Sequence, residues 1–290
     1  VAATSVPSLR AQRGSLPNVV LIVTESVRAD EYCSEPRPDC PTAPEINALL
    51  PDRLGFPEMR ATASYTVLSL SALVTGRAQN IPRAELFRSP TLFDAIKAVE
   101  RDGRRPYTAY FSSHEAPMFP WDDPARSTDA YVTFETLFQE QGTSLNADVR
   151  LAEMFRERLR DMPSPFFAVL QFHDTHLLYG FDEARAPFHP WTRSVRWGSL
   201  EALKNAYRNA IHAQDRAIAS AVRALREDPR WRDTVVLFTS DHGEAFGEHG
   251  AIHHGQNLFD EQIHHNAADE AGAAVLPLSL LSPAGTENTD

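Results

Sequence analysis

No apolar run in the 290 residues is long enough to cross a membrane. No secretory leader pattern and no initiating Met stand at the start, where residues 1–16 read as a flexible tail or linker. The sequence therefore reads as a processed chain or a piece of a longer one, compatible with a membrane anchor outside it. Basic charge is in deficit: 28 Lys and Arg face 39 Asp and Glu, a formal net charge of -11. That excludes nucleic acid or anionic lipid held by a general positive field. An anionic substrate stays open, because a bound cation reverses the local sign. Cysteine is scarce as well: only Cys33 and Cys40 occur, in CSEPRPDC. That rules out a CxxC-type metal site and leaves two readings, a small disulfide loop in an oxidising compartment or two free thiols in a surface loop. No internal repeat stands out.

An ordinary apolar share of 42% permits a sizeable core. Asn18 to Thr24 (NVVLIVT), Phe166 to Phe172 (FFAVLQF) and Thr234 to Thr239 (TVVLFT) are short β-branched or aromatic runs, the pattern of strands buried on both faces. Tyr107 to Phe111 reads as a further strand. Thr66 to Thr75 reads as a helix with Thr66 at or near its N-cap and Gly76 as its stop. Ser89-Pro90 reads as the start of another, running to about Val99 with proline in the first turn. Ala147 to Leu159 and Leu200 to Leu225 carry helical periodicity. Alternating strands and helices predict an α/β fold with a mainly parallel central sheet and helices on both faces. The Pro/Trp-rich stretches Pro117 to Pro124 and Pro187 to Trp197 read as long surface loops. Their tryptophans, with Trp121, Trp191 and Trp197 in view, read as loop packing ahead of a lipid or glycan pocket.

Two of the buried strands run directly into potential metal ligands: NVVLIVT into Glu25, and TVVLFTS into Asp241 and His242. Sites in open parallel sheets form at the carboxyl ends of strands, so these residues are expected to meet. Two carboxylates and an imidazole suit zinc or manganese with a position left open for substrate. Thr66, at the positive end of a helix, becomes a usable nucleophile once a base or a metal favours its alkoxide.

NVVLIVTESVRAD, then Thr66 to Gly76, then TSDHGEAFGEHG and HHGQNLFDEQ, in that order, resemble the sulfatase-like branch of the alkaline phosphatase superfamily from about Pro17 to Gln262. The resemblance implies an alkaline-phosphatase-like catalytic domain, taken as residues 17–272, with residues 273–290 as an edge strand and C-terminal tail. True sulfatases make a formylglycine from Cys or Ser in a C/S-x-P-x-R context. Here Thr66-Val67-Leu68-Ser69-Leu70 has none of those residues at the matching positions, and Thr24-Glu25 stands where sulfatases carry paired aspartates for calcium.

The pattern instead is similar to lipoteichoic acid synthases and phosphoethanolamine transferases. By that resemblance the ligands of one divalent ion, zinc or manganese ahead of calcium, are Glu25, Thr66, Asp241 and His242. Thr66 is the nucleophile, forming a covalent phospho-threonine. His254 and His176 assist, with His173 a lesser candidate. The implied substrate is a phosphodiester or sulfate ester, lipid- or glycan-linked forms included, at the periplasmic or extracellular face of the cytoplasmic membrane. A sulfuric ester hydrolase and a non-catalytic relic or binding module are the alternatives. Arg28 and Arg77 read as structural ion pairs, and Glu244 and Glu248 as loop-shaping acids. HHNAADEAGAA after Ile263 departs from the family pattern. It reads as an insertion before an edge strand at Val275 to Leu281, or as an altered C-terminus.

Overall fold

The computed structural model describes residues 16–77, 81–86, 88–100, 103–114, 128–133 and 147–271. The tail, Trp121 with its loop, and Val275 to Leu281 lie outside them. The strands are β1 (Asn18–Thr24), β2 (Leu54–Gly55), β3 (Tyr107–Ser112), β4 (Ala130–Val132), β5 (Phe166–Phe172), β6 (Thr234–Ser240), β7 (Ala245–Phe246), β8 (Ile252–His253) and β9 (Ala267–Ala271). The helices are α1 (Pro44–Leu49), α2 (Thr66–Thr75), α3 (Arg83–Leu86), α4 (Leu92–Lys97), α5 (Ala147–Leu159), α6 (Leu200–Glu227) and α7 (Asp260–Ile263).

Seven strands make one sheet in the order β2-β9-β6-β1-β5-β3-β4. From β6 to β4 the pairs are parallel, while β9 and β2 run antiparallel at one edge. Alternation along β1 explains the layers. Val20 and Ile22 point to a core built with Leu151 and Phe155 of α5 and Ile218 and Val222 of α6. Leu21 and Val23 point the other way, toward Leu70 of α2 and Phe93 of α4. Both faces are thus covered, as an uninterrupted β-branched strand requires. A separate cluster, including Val27, Tyr179, Leu203, Tyr207 and Phe246, packs beneath the loops at the carboxyl end of the sheet.

One local reading of the sequence holds and two are corrected. Thr66 is the first helical residue of α2 and Tyr65 is the N-cap, while Gly76 closes the helix in the left-handed region at φ 62°. Helix α4 begins after Pro90: Thr91 caps it, accepting from the Asp94 amide at 3.3 Å while Asp94 accepts from the Thr91 amide at 2.7 Å. That reciprocal box satisfies two otherwise orphaned donors, which proline at the first turn does not. The stretch after Ile263, read as an insertion or an altered C-terminus, carries a strand, β9, paired with β6 through Leu237↔Asp269 and its neighbours.

Cys33 and Cys40 are bridged, with Cα atoms 6.0 Å apart, so the disulfide reading holds. Closing so short a loop removes little unfolded-chain entropy. The Cys33→Ser/Cys40→Ser double variant is expected to lose about 2–3 kcal/mol of stability, read from urea unfolding. Among the described residues no helix is long and apolar enough to cross a membrane.

Candidate metal centre and active site

Register delivers the site. Thr24 of β1 is paired with Ser240 of β6 on one side and Phe172 of β5 on the other. The next residues, Glu25, Asp241 and His173, therefore leave the sheet at one level. Thr66 comes to them from the first turn of α2. Glu25, Thr66, Asp241 and His242 are all 5% exposed or less.

The two carboxylates share one design. Asp241 Oδ1 accepts from the amides of Ser26 and His242, both at 2.8 Å. Glu25 Oε1 accepts from Ser26 Oγ at 2.9 Å and Thr66 Oγ1 at 3.1 Å. The second oxygen of each, Asp241 Oδ2 and Glu25 Oε2, is buried and has no hydrogen-bond partner. Ser26 serves both by taking a left-handed conformation at φ 57°. Its carbonyl accepts from Tyr207 Oη of α6 at 2.7 Å, which braces the turn. His242 Nδ1 donates to the Gly243 carbonyl at 2.8 Å, leaving the Nε2 lone pair for the site. Nε2 lies 3.0 Å from Thr66 Oγ1, 3.4 Å from Asp241 Oδ2 and 3.5 Å from Glu25 Oε1. Only glycine fits at 243, because a Cβ there would stand 2.4 Å from the Glu261 carbonyl oxygen.

This donor set passes the test for a divalent cation. Glu25, Asp241 and His242 each offer a ligand atom within 4.8 Å of the others. Burying two bare carboxylate oxygens face to face is costly without a positive charge between them. Burial first, then the charge of Asp241, pushes the Glu25 carboxyl well above its ordinary range. Burial likewise pushes His242 down, keeping it neutral as a ligand must be.

A group of histidines surrounds this centre. His254 lies over His242 with ring centroids 4.4 Å apart, and His176 lies 5.7 Å from His254. His173 stacks on His176 at 4.8 Å. Glu244, read from sequence as a loop-shaping acid, is instead fully buried and serves this group. Its Oε2 accepts from His254 Nδ1 at 3.2 Å, and Oε1 lies 3.6 Å from His253 Nδ1. Burial works to raise Glu244, but the nearby His253 and the bond from His254 outweigh it and hold the carboxyl down at about 2. Burial also works to lower His254, and Glu244 outweighs it, so His254 is raised. His176 is lowered, by burial and then by His254. His114, from the end of β3, also joins the cluster, with its ring centroid 3.9 Å from that of His173. No spacing rule singled it out, since it is a lone histidine after a strand. Arg28 pairs with Asp30 at 2.6 Å and Glu248 at 2.7 Å, the structural role expected of it.

The loop carrying His173 and His176 is held by one buried carboxylate, Asp148 in the first turn of α5. It accepts from Ser113 Oγ at 2.6 Å, the His173 amide at 2.8 Å, Gln214 Nε2 at 2.9 Å and the Asp174 amide at 3.1 Å. Thr175 Oγ1 in the same loop donates to the Glu25 carbonyl. Asp148→Ala strands those buried donors, so it is expected to cost about 3 kcal/mol or more in urea unfolding.

Such a strand-edge centre, with a hydroxyl beside a carboxylate- and imidazole-lined cation site, defines a class of α/β hydrolases and transferases. The sulfatase family model matches residues 17–267, and the chain belongs to that family, within the alkaline phosphatase superfamily of enzymes. Among curated proteins it is similar to phosphatidylethanolamine transferase Mcr-1 of Escherichia coli, 38% identical over 77 residues. That stretch is 26% of this chain and spans only 14% of the relative's length. The fold is like the soluble domain of lipooligosaccharide phosphoethanolamine transferase A from Neisseria meningitidis, with TM-score 0.73 and 20% identity over 91% of this chain and 79% of that one. It is also like the C-terminal periplasmic domain of EcEptC from Escherichia coli in complex with Zn, with TM-score 0.69 and 20% identity over 89% and 74% of the two chains.

Proposed function

We propose that residues 17–272 form the catalytic domain of a metal-dependent phosphotransferase or phosphodiester hydrolase that works through a phospho-threonine on Thr66. The observation that carries this reading is the position of Thr66 Oγ1, 3.1 Å from Glu25 Oε1 and 3.0 Å from His242 Nε2 at the start of a helix. Glu25, Asp241, His242 and Thr66 would hold one divalent ion, zinc or manganese. When bound, it supplies Lewis-acid positive charge against the nucleophile and the phosphoryl oxygens.

The chain's own groups do the rest. Thr66 Oγ1 gives its proton to Glu25 Oε1 and attacks phosphorus, and the first-turn amides of α2 favour the anionic phosphoryl group. As the Thr66 Oγ1–P bond forms and the ester O–P bond breaks, His254 passes a proton to the departing oxygen, with His176 beside it. An acceptor hydroxyl or water then gives its proton to His254 and attacks the phospho-threonine; the Thr66 Oγ1–P bond breaks and Oγ1 takes its proton back from Glu25. The Thr hydroxyl cannot become the aldehyde of a sulfatase, which favours phosphoryl over sulfuryl transfer. The complete ligand set speaks against a non-catalytic relic.

Lipid- and glycan-linked phosphodiesters are the substrate class this reading favours, at the periplasmic or extracellular face of the membrane. The Cys33–Cys40 bridge agrees with an oxidising compartment.

Zinc-loaded protein assayed on matched aryl phosphodiester and aryl sulfate esters tests the reaction type. Turnover of the phosphodiester is expected, and turnover confined to the sulfate ester contradicts the reading. The pH profile tests His254. Glu244 holds its pKa up, so Glu244→Gln lets it fall. The basic limb of kcat is then expected to move to lower pH, with the acid limb left in place.

A further inference from the structure

One side of Glu25 faces Asp241 and His242. Close to it stands a second group of ligands that the reaction above does not use. His114 and His173 come from adjacent parallel strands. Ser112 of β3 is paired with Gln171 of β5, so two residues further on His114 arrives level with His173. Their rings lie 3.9 Å apart, centroid to centroid, and tilted by 55°. Glu25, His114 and His173 each offer a ligand atom, and those atoms lie within 4.8 Å of one another. His173 Nδ1 is buried without a hydrogen-bond partner, as is Glu25 Oε2.

The two histidine-bearing loops are fixed by the same anchor. Asp148 Oδ1 accepts from Ser113 Oγ, beside His114, at 2.6 Å and from the His173 amide at 2.8 Å. Gln214 Nε2 ties Asp148 and Thr175 together at 2.9 and 3.2 Å. The imidazoles are thus preorganised by a fully buried network. Preorganisation of this kind is what a ligand set needs, and two packed histidines do not by themselves require it. The other histidine pair near Glu25, His176 and His254, also offers ligand atoms within 4.8 Å of a Glu25 oxygen, but there His254 Nδ1 is engaged by Glu244 at 3.2 Å, whereas His173 Nδ1 has no such partner.

We propose that Glu25, His114 and His173 form a second divalent-cation site beside the Asp241–His242 site, with Glu25 as the carboxylate common to both. Two imidazoles and a carboxylate suit zinc, and three protein ligands leave a coordination position open. In a chain of net charge -11 a second cation adds positive charge to a pocket meant for an anionic ester.

The test is metal stoichiometry, which does not depend on turnover. Chelator-treated protein is titrated with zinc by calorimetry, and with cobalt(II) by its visible spectrum. The wild type is expected to bind two ions per chain. His114→Ala, His173→Ala and the milder His114→Gln are each expected to bind one, with the Asp241-dependent event intact. His176→Ala and His254→Ala are expected to keep both. Thermal melting identifies any variant that has lost its fold, and His114→Gln then carries the comparison.

One ion in the wild type overturns the proposal, as does a second ion that survives in His114→Ala and His173→Ala. Loss of the second ion in His176→Ala or His254→Ala also overturns it. None of these outcomes touches the Thr66 reading, which stands or falls on modification of Thr66 itself.

Discussion

Thr66→Ala is expected to lower phosphodiester turnover by about 10³-fold or more, on the scale of other nucleophile deletions, with little change in melting temperature. The reasoning is local. Thr66 is the first residue of α2 and not its cap, so the helix keeps its Tyr65 start when the hydroxyl is removed. The hydroxyl's partners are Glu25 Oε1 and His242 Nε2, and each of those side chains keeps another bond, Glu25 from Ser26 Oγ and His242 to the Gly243 carbonyl. Thr66→Ser keeps the oxygen and gives up only a buried methyl, so it is expected to retain most of the rate. Turnover in Thr66→Ala within tenfold of wild type would sink the nucleophile assignment.

The second large effect is on stability. Glu25 is raised well above its ordinary value of 4.5, by burial and then by Asp241. A carboxyl raised in the folded state stabilises the protein while protonated. That contribution is complete below its unfolded value and is lost as pH rises through the folded one. The metal-free protein is therefore expected to weaken from about pH 4.5 upward. A cation displaces that proton, so stabilisation by zinc is expected to grow over the same window. At a thousandfold excess over Kd it approaches about 4 kcal/mol. Asp241→Ala removes both a ligand and the repulsion. The metal-free variant should resist rising pH better than wild type, yet gain clearly less from zinc than wild type does. Thermal melts across pH, with and without zinc, read both slopes. A zinc effect equal in Asp241→Ala and wild type contradicts the assigned centre.

Much of this was legible in the sequence for a physical reason. Strands buried on both faces are continuous apolar runs, and parallel strands deliver their next residues to one edge. That places Glu25, Asp241 and His242 at one edge, while their reading as ligands leaned on the motifs taken together. Other groups were hidden because burial, not spacing, makes their chemistry. Glu244 looks like a solvated loop acid until the fold encloses it between His253 and His254. Asp148 looks like a first-turn acid serving a helix dipole, yet it turns inward to four donors. Strand β9, AADEA, lacks β-branched residues, and its pairing with β6 rests on the backbone ladder. The Cys33–Cys40 spacing left the bridge open, and only the path of the chain between α1 and β1 brings the two residues together.

The central claim is a covalent phospho-threonine, and trapping it is the most direct measurement. Zinc-loaded protein is mixed with excess phosphodiester, quenched in acid within its first turnovers, digested and read by mass spectrometry. The account requires a phosphoryl-bearing group on the peptide containing Thr66, absent from Thr66→Ala. Active protein that turns over substrate with Thr66 unmodified at every quench time, or modified only at another residue, contradicts it.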